Sequence, residues 1–186
     1  FDPVGAGASH FRTQTALKLM SEIPFDVIRG NMSEMKTLAN GSGCTRGVDA
    51  SVSDRVTEQN LGEAVSFVKE FAKKTGSVIA VTGAIDLVAD DRKCYVIRNG
   101  RTEMGSITGT GCQLSGMMTA YLAANTGHLL EAAAAAVCAM GAAGEIAWQH
   151  LPEYGGNASY RNAIIDAICH LDEKKLTEYA NYEIYK

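Results

Sequence analysis

The chain has 186 residues, of which 46% are hydrophobic and 20% charged, and a formal net charge of −4. That length suits one domain with a sizeable core, and the composition is ordinary for a soluble globular protein. The acidic balance, with no basic run longer than two residues, excludes nucleic acid and an anionic membrane surface as main partners.

Taken in chain order, "FDPV" (1–4) reads as the end of a strand and "VGAGAS" as a glycine turn. "RTQTALKLMSEI" (12–23) has apolar residues at helical spacing. "FDVIRG" (25–30) predicts a short strand, and Asn31 or Ser33 caps the helix "SEMKTLAN" that follows. Residues 40–56, rich in Gly, Ser and Asp, predict a loop. "NLGEAVSFVKEFAKKTG" (60–76) is an amphipathic helix with Gly76 as its stop. "SVIAVTG" (77–83) is a continuous β-branched run, the pattern of a fully buried strand. "DLVAD" and "CYVIRNG" predict two further strands joined by the turn "DDRK", and "RNGR" (98–101) is a tight turn. Beyond it the pattern is helical over about 112–125, 129–149, 158–171 and 173–181. Strands alternating with helices, then a helical tail, imply an α/β layered fold with a mostly parallel sheet. No repeat or linker divides the chain.

The most apolar window, 129–144, is mostly alanine and glycine and carries Glu131, so it reads as a buried helix and not a membrane span. The five cysteines, Cys44, Cys94, Cys112, Cys138 and Cys169, form no CxxC pair and no zinc-like spacing. Cys138 and Cys169 fall in apolar helical patterns and are expected to pack. Reduced thiols in a cytoplasmic protein are the economical reading. The four histidines are scattered, away from any Ser/Asp or Cys/Asp arrangement, which leaves a hydrolase triad without support.

Four stretches carry candidate chemistry. In "GSITGTGCQLSG" (105–116), Gly109 and Gly111 let the backbone approach a ligand where a helix begins. Such a turn cradles a phosphate or charge developing in a transition state, although a tightly packed strand-to-helix turn reads the same way. Walker A and dinucleotide spacings are both absent. In "DVIRGNMSEM", Arg29 ends a strand while Asn31 and Glu34 lie three apart at a helix start. Those oxygens suit Mg²⁺ and equally suit a capping box. "DPVGAGAS" places Asp2 ahead of a glycine turn, and "AVTG" ends the central strand at Thr82. All four fall at strand-to-loop exits, where open α/β sheets bind ligands. Their coincidence points to a phosphorylated ligand.

"DPVGAGAS…R", "IRGNMSE", "GVD", "VTGAIDLV" and "TGTGC" occur together, and in this order the chain resembles the hydroxyethylthiazole kinases, thiamine-salvage members of the ribokinase-like superfamily. The resemblance spans essentially the whole chain. It implies a three-layer ribokinase-like fold, with residues 1–186 forming one kinase domain that corresponds to the C-terminal two-thirds of the family's. It further implies ATP- and Mg²⁺-dependent phosphorylation of the primary alcohol of 4-methyl-5-(2-hydroxyethyl)thiazole. By resemblance, Arg29 and Thr82 match ATP-binding positions and Gly109 a substrate-binding position, while Asp2 and Glu34 match the acidic residues near Mg²⁺. Relatives in the superfamily often end the glycine turn in an aspartate base, where this family and this chain have cysteine, Cys112. Gly109, Thr110, Gly111 and the Cys112 backbone are then expected to form an anion hole, with Cys112 a weak base or a spacer for the alcohol. Members carry further elements ahead of "DPVGAG", including a methionine whose backbone helps bind the thiazole, so an N-terminal portion is expected to be missing. A homotrimer with active sites between subunits is also implied. The rival expectations are a kinase of hydroxymethylpyrimidine or pyridoxal, a nucleotide-binding protein without catalysis, and, more remotely, a lyase or hydratase on the same fold.

Overall fold

The structure is a computed structural model that describes residues 1–41 and 51–186. Cys44, the "GVD" stretch at 47–49 and most of the loop expected at 40–56 lie outside the described residues. Contacts divide the chain into two compact units, Phe1–Val96 with Ile184–Lys186, and Ile97–Glu183.

In the first unit, α1 (His10–Glu22), α2 (Met32–Asn40) and α3 (Leu61–Thr75) accompany β1 (Val27–Gly30), β2 (Val78–Val81) and β3 (Asp86–Ala89), and β4 (Cys94–Ile97) begins here. The buried run of β2 pairs in parallel with β1, Val27 opposite Val78 and Gly30 opposite Val81. On its other side β2 pairs antiparallel with β3, Ile79 opposite Ala89. β2 thus has one parallel and one antiparallel neighbour, the latter because the short "TGAI" connection leaves no room for a crossover helix. α3 packs on β2 and β3 through Leu61, Ala64, Val65, Val68, Phe71 and Ala72, the i, i+3, i+4 stripe of an amphipathic helix. Fully burying Val68 and Phe71 contributes about 1.5–3 kcal/mol each. Gly76, at φ 71°, ends the helix by donating its N–H to Ala72 O.

Residues 1–4 are a turn-bound segment and not a strand. Even so, Phe1 N donates to Val27 O and Arg29 N to Phe1 O, each at 2.8 Å, so the chain start lies along β1 as a single paired residue. The Phe1 ring stacks on Phe25 at 4.6 Å. Pro3 supplies no N–H and the glycine turn follows at once, so the pairing cannot extend.

The second unit holds α4 (Thr110–Ala124), α5 (Leu129–Gln149), α6 (Asn157–Cys169) and α7 (Glu173–Tyr179). α5 is long and apolar enough to cross a membrane by length and composition, but 72% of its apolar window is buried inside the protein, with α4, α6 and α7 packed on it. It is a core helix, as its small side chains suggested. Cys138 packs within it, whereas Cys169 is exposed at the end of α6, contrary to expectation. The chain does not finish in helix. β5 (Tyr182–Tyr185) follows α7, and the five strands take the sheet order β1-β2-β3-β4-β5. Tyr182, Ile184 and Tyr185 favour strands, but the segment is only four residues long and the sequence reading assigned nothing beyond the helix ending at 181.

The turn after β4 is seated on α5. A Cβ at Gly141 would lie 2.5 Å from Asn99 Cβ and 2.9 Å from Gly100 N. Glu145 Oε1 accepts Gly100 N–H at 2.6 Å and Asn99 Nδ2 at 3.2 Å. A methyl at position 141 would have to move main chain, so Gly141→Ala is expected to cost about 1–3 kcal/mol, the usual overpacking range. Urea unfolding would measure it, and a midpoint equal to wild type would overturn the seat.

Candidate active site

The carboxyl ends of β1 and β2 bring four sequence-identified residues together. Arg29, the penultimate residue of β1, donates from Nη1 to Asp2 Oδ2 at 3.0 Å and from Nη2 to Thr82 Oγ1 at 2.9 Å. The pairing of Phe1 with β1 is what carries Asp2 alongside Arg29, and the parallel β1–β2 ladder is what carries Thr82 there. Both ion-pair side chains are largely buried, at 15% and 19% exposure. Arg29 Nε is buried and makes no hydrogen bond among the described residues. A guanidinium so fixed offers a rigid fork for a phosphate or carboxylate.

Glu34 does two jobs that the sequence left open. Asn31 caps α2 by accepting Glu34 N–H at 2.9 Å, and Glu34 Oε2 returns to Asn31 N at 2.8 Å, a complete capping box. Its other oxygen, Oε1, accepts Gly5 N–H at 2.8 Å. Gly30 makes this possible, since a Cβ there would meet Glu34 Oε2 at 2.8 Å and Met35 Cε at 2.6 Å. Glu34 is only 5% exposed. Burial pushes its carboxyl above the usual range; the Asn31 and Gly5 N–H groups oppose this, Asp2 adds to it, and Arg29 opposes it.

The glycine turn at 4–8 is not an anion cradle, because its N–H groups are consumed within the protein. Gly5 goes to Glu34, Ala6 to Pro3 O, Gly7 to Thr13 Oγ1 and Ala8 to Gly5 O. The second glycine turn, in the helical unit, is different. Gly109 stands at the N-cap of α4 with φ 92° and no side-chain cap. The first bond back to it comes from Gln113 N at 3.0 Å, so the N–H groups of Thr110, Gly111 and Cys112 precede the helix's own ladder. Cys112 is exposed on that first turn.

Asp86 joins the Arg29 cluster without having been singled out in the sequence, although it lies inside "VTGAIDLV". Its Oδ1 accepts Gly83 N–H at 2.8 Å, closing the β2–β3 turn beside Thr82. Burial pushes this carboxyl up to about 7, against the Gly83 hydrogen bond and the Arg29 charge. The signal available was an acid one step past a strand-ending "TGAI" turn, which is too common to identify a site.

Among the described residues no group of three or more His, Cys, Asp or Glu is arranged to hold a metal directly. Both Glu34 oxygens already take backbone N–H groups and Asp2 takes Arg29. Mg²⁺ keeps most of its waters and uses one or two carboxylates with substrate phosphates, so any contact of Asp2 and Glu34 with it would run through water.

Residues 1–174 match the model of the hydroxyethylthiazole kinase family. A hydroxyethylthiazole kinase of Clostridium acetobutylicum is 56% identical over 184 residues, covering 99% of this chain and 67% of that protein. A hydroxyethylthiazole kinase 2 of Clostridium botulinum (strain 657 / Type Ba4) is 40% identical over 167 residues, covering 90% and 61%. The chain thus spans about two thirds of the length of these curated relatives. Among solved structures, hydroxyethylthiazole kinase from Pyrococcus horikoshii OT3 aligns with a TM-score of 0.82 at 29% identity, over all of this chain and 64% of that one. Staphylococcus aureus pyridoxal kinase, solved with pyridoxal, aligns with a TM-score of 0.54 at 18% identity, over 99% of this chain and 60% of that one, a likeness of fold. The architecture is the ribokinase-like α/β fold.

Glu34→Gln would set an amide NH₂ against one of two inward backbone N–H groups. A loss of about 1–3 kcal/mol is expected in chemical denaturation, and an unchanged midpoint would show that the clasp contributes nothing. For Asp86 the folded-state value, about 7, lies above that of an unfolded aspartate, roughly 4. Its contribution to stability is therefore full below about pH 4 and is lost as pH rises through about 7. Asp86→Asn should gain in melting temperature relative to wild type between pH 5 and 8, and a constant difference across that range would rule out this titration.

Proposed function

We propose, for a chain that belongs to the hydroxyethylthiazole kinase family, ATP-dependent phosphorylation of the primary alcohol of 4-methyl-5-(2-hydroxyethyl)thiazole. The observation that carries this reading is Arg29 held by Asp2 and Thr82 at the carboxyl ends of two parallel strands, the place where open α/β sheets take phosphorylated ligands. The names of the relatives supply the alcohol. Family matching across 1–174 supports taking residues 1–186 as one kinase domain, the C-terminal two-thirds of the family's.

In this reading Arg29 and Thr82 bind ATP, the guanidinium meeting phosphate oxygens and the hydroxyl fixing the guanidinium. Asp2 and Glu34 would hold Mg²⁺ through water. Mg²⁺, when bound, neutralises phosphate charge. Gly109 receives the substrate, and the N–H groups of Thr110, Gly111 and Cys112 offer an anion hole for the transferring phosphoryl group. Preformed donors suit a reaction that depends mainly on positioning and charge stabilisation. The attacking hydroxyl gives up its proton as its oxygen joins phosphorus and ADP leaves. In this reading Cys112 receives that proton as a weak base or leaves room for the alcohol. A covalent thiol intermediate is not part of this reading, since no histidine partners Cys112 in the sequence pattern.

The same reading places the protein in the cytoplasm, in keeping with free thiols at Cys94, Cys112, Cys138 and Cys169. It also takes the assembly as a homotrimer with active sites between subunits, on the family resemblance.

The test is incubation with MgATP and hydroxyethylthiazole, hydroxymethylpyrimidine or pyridoxal separately, with the phosphate ester read by mass spectrometry. The thiazole ester alone is expected, and an ester of only another alcohol would move the assignment. Cys112→Ala should lower kcat by on the order of tenfold, short of the 10²–10⁴ of a full general base. A loss of 10⁴ or more would make Cys112 the essential base.

A further inference from the structure

The arginine that closes "DPVGAGAS…R" has no part in the proposed reaction, yet it is anchored on the turn that adjoins the Arg29 cluster. Arg12 lies in the first turn of α1, where the N-cap Ser9 accepts its backbone N–H. Its side chain folds back over the glycine turn. Nη1 donates to Val4 O at 3.2 Å, and a Cβ at Gly5, which has φ 77°, would lie 3.0 Å from Arg12 Cδ and 3.2 Å from Nη1. Gly5 thus makes room for the arginine stem while its own N–H goes to Glu34 Oε1 at 2.8 Å. Val4 stands two residues past Asp2, whose carboxylate holds Arg29 at 3.0 Å. Two residues of chain span at most about 7 Å, so the residues that anchor the two guanidinium groups are close neighbours.

The two cations differ in a way that suits one ligand. Arg29 is largely buried, at 15% exposure, and is held by Asp2 and Thr82. Arg12 is exposed, and among the described residues its guanidinium makes no ion pair and donates only to the neutral Val4 carbonyl. A guanidinium has further N–H donors and no acceptor, so the Val4 bond leaves most of this fork for another partner. We propose that Arg12 is a second contact for the nucleotide's polyphosphate, its exposed guanidinium meeting oxygens of a phosphate group other than the one that Arg29 holds. This rests on the reading of Arg29 and Thr82 as ATP-binding residues. Arg29 supplies the inner, fixed fork, and Arg12 an outer one whose stem rests on Gly5. A polyphosphate presents charged oxygens on each unit, so two neighbouring forks recognise it where one recognises a single phosphate. Salt screens exposed charge more than buried charge, so the share of affinity that Arg12 supplies is the salt-sensitive one.

The test is calorimetric titration of the purified protein with MgATP, Mg²⁺ in excess, in low salt and again in about 0.5 M KCl, for wild type, Arg12→Gln and Arg12→Lys. Arg12→Gln is expected to weaken Kd by about three- to tenfold in low salt, the size of one charge-assisted contact at an exposed position. In high salt that deficit should fall to less than half. Arg12→Lys keeps the charge and loses the fork, so its Kd should stay within about threefold of wild type. A loss below threefold in Arg12→Gln overturns the inference and leaves the nucleotide site standing. A deficit that does not shrink in high salt does the same, because it would mark Arg12 as a brace of the 4–8 turn. A loss beyond threefold in Arg12→Lys counts against the charge in the same way, and that variant alone carries the test if Arg12→Gln fails to fold. Absence of MgATP binding to wild type in either salt overturns the nucleotide-site reading and the inference with it.

Discussion

The first unit depends on one buried carboxylate whose two oxygens point at two different segments of main chain. Glu34 ties the turn at 4–8 to the start of α2 by accepting one backbone N–H from each. The constraint reaches backward into sequence. Gly30 must lack a side chain for the carboxylate to fold over it, and Asn31 must cap. It also reaches outward, because the turn so fixed begins two residues after Asp2, and Asp2 holds Arg29. The residues assigned to the nucleotide thus inherit their geometry from an interaction that looks like ordinary helix capping.

Around that clasp the charges are arranged for tension as much as for attraction. Arg29 is braced by Asp2 and Thr82, so in the proposed function it would pay little conformational entropy on meeting an oxyanion. The same bracing surrounds it with acid. Burial favours the neutral forms of Glu34 and Asp86, and the Arg29 cation and local N–H groups favour the charged ones.

Long periodic segments were legible in the sequence. α3, with its apolar stripe and Gly76 stop, and α5, with its alanine run, fall where the pattern put them. So do β2, as a continuous β-branched run, and the β3–β4 turn, where Asp90 Oδ1 accepts Arg92 and Lys93 N–H at 2.7 Å. What failed were elements defined by partners distant in sequence. Residues 1–4 were read as a strand end, although Pro3 and the glycine turn behind it leave Phe1 as the one residue that pairs with β1 among them. β5 lies past the last helix read, which ended at 181, and was left unassigned because a segment as short as "YEIY" is fixed as a strand by its neighbour in the sheet. The Arg29, Thr82, Asp2 and Glu34 cluster was recoverable as strand-end residues, whereas Asp86 needed the closed turn to be seen.

The seat of the turn after β4 and the late arrival of β5 together say something about how the chain is put together. β4 and β5 are neighbours in the sheet, yet all of α4 to α7 lies between them in sequence. At the base of that excursion Arg98 N–H donates to Asn181 O at 2.9 Å, Asn181 N–H to Asn99 Oδ1 at 2.8 Å, and Arg98 pairs with Glu183 at 2.6 Å. These bonds hold the two ends of the helical segment side by side. A segment whose two ends are bonded side by side is one that can be lengthened or trimmed without pulling those ends apart.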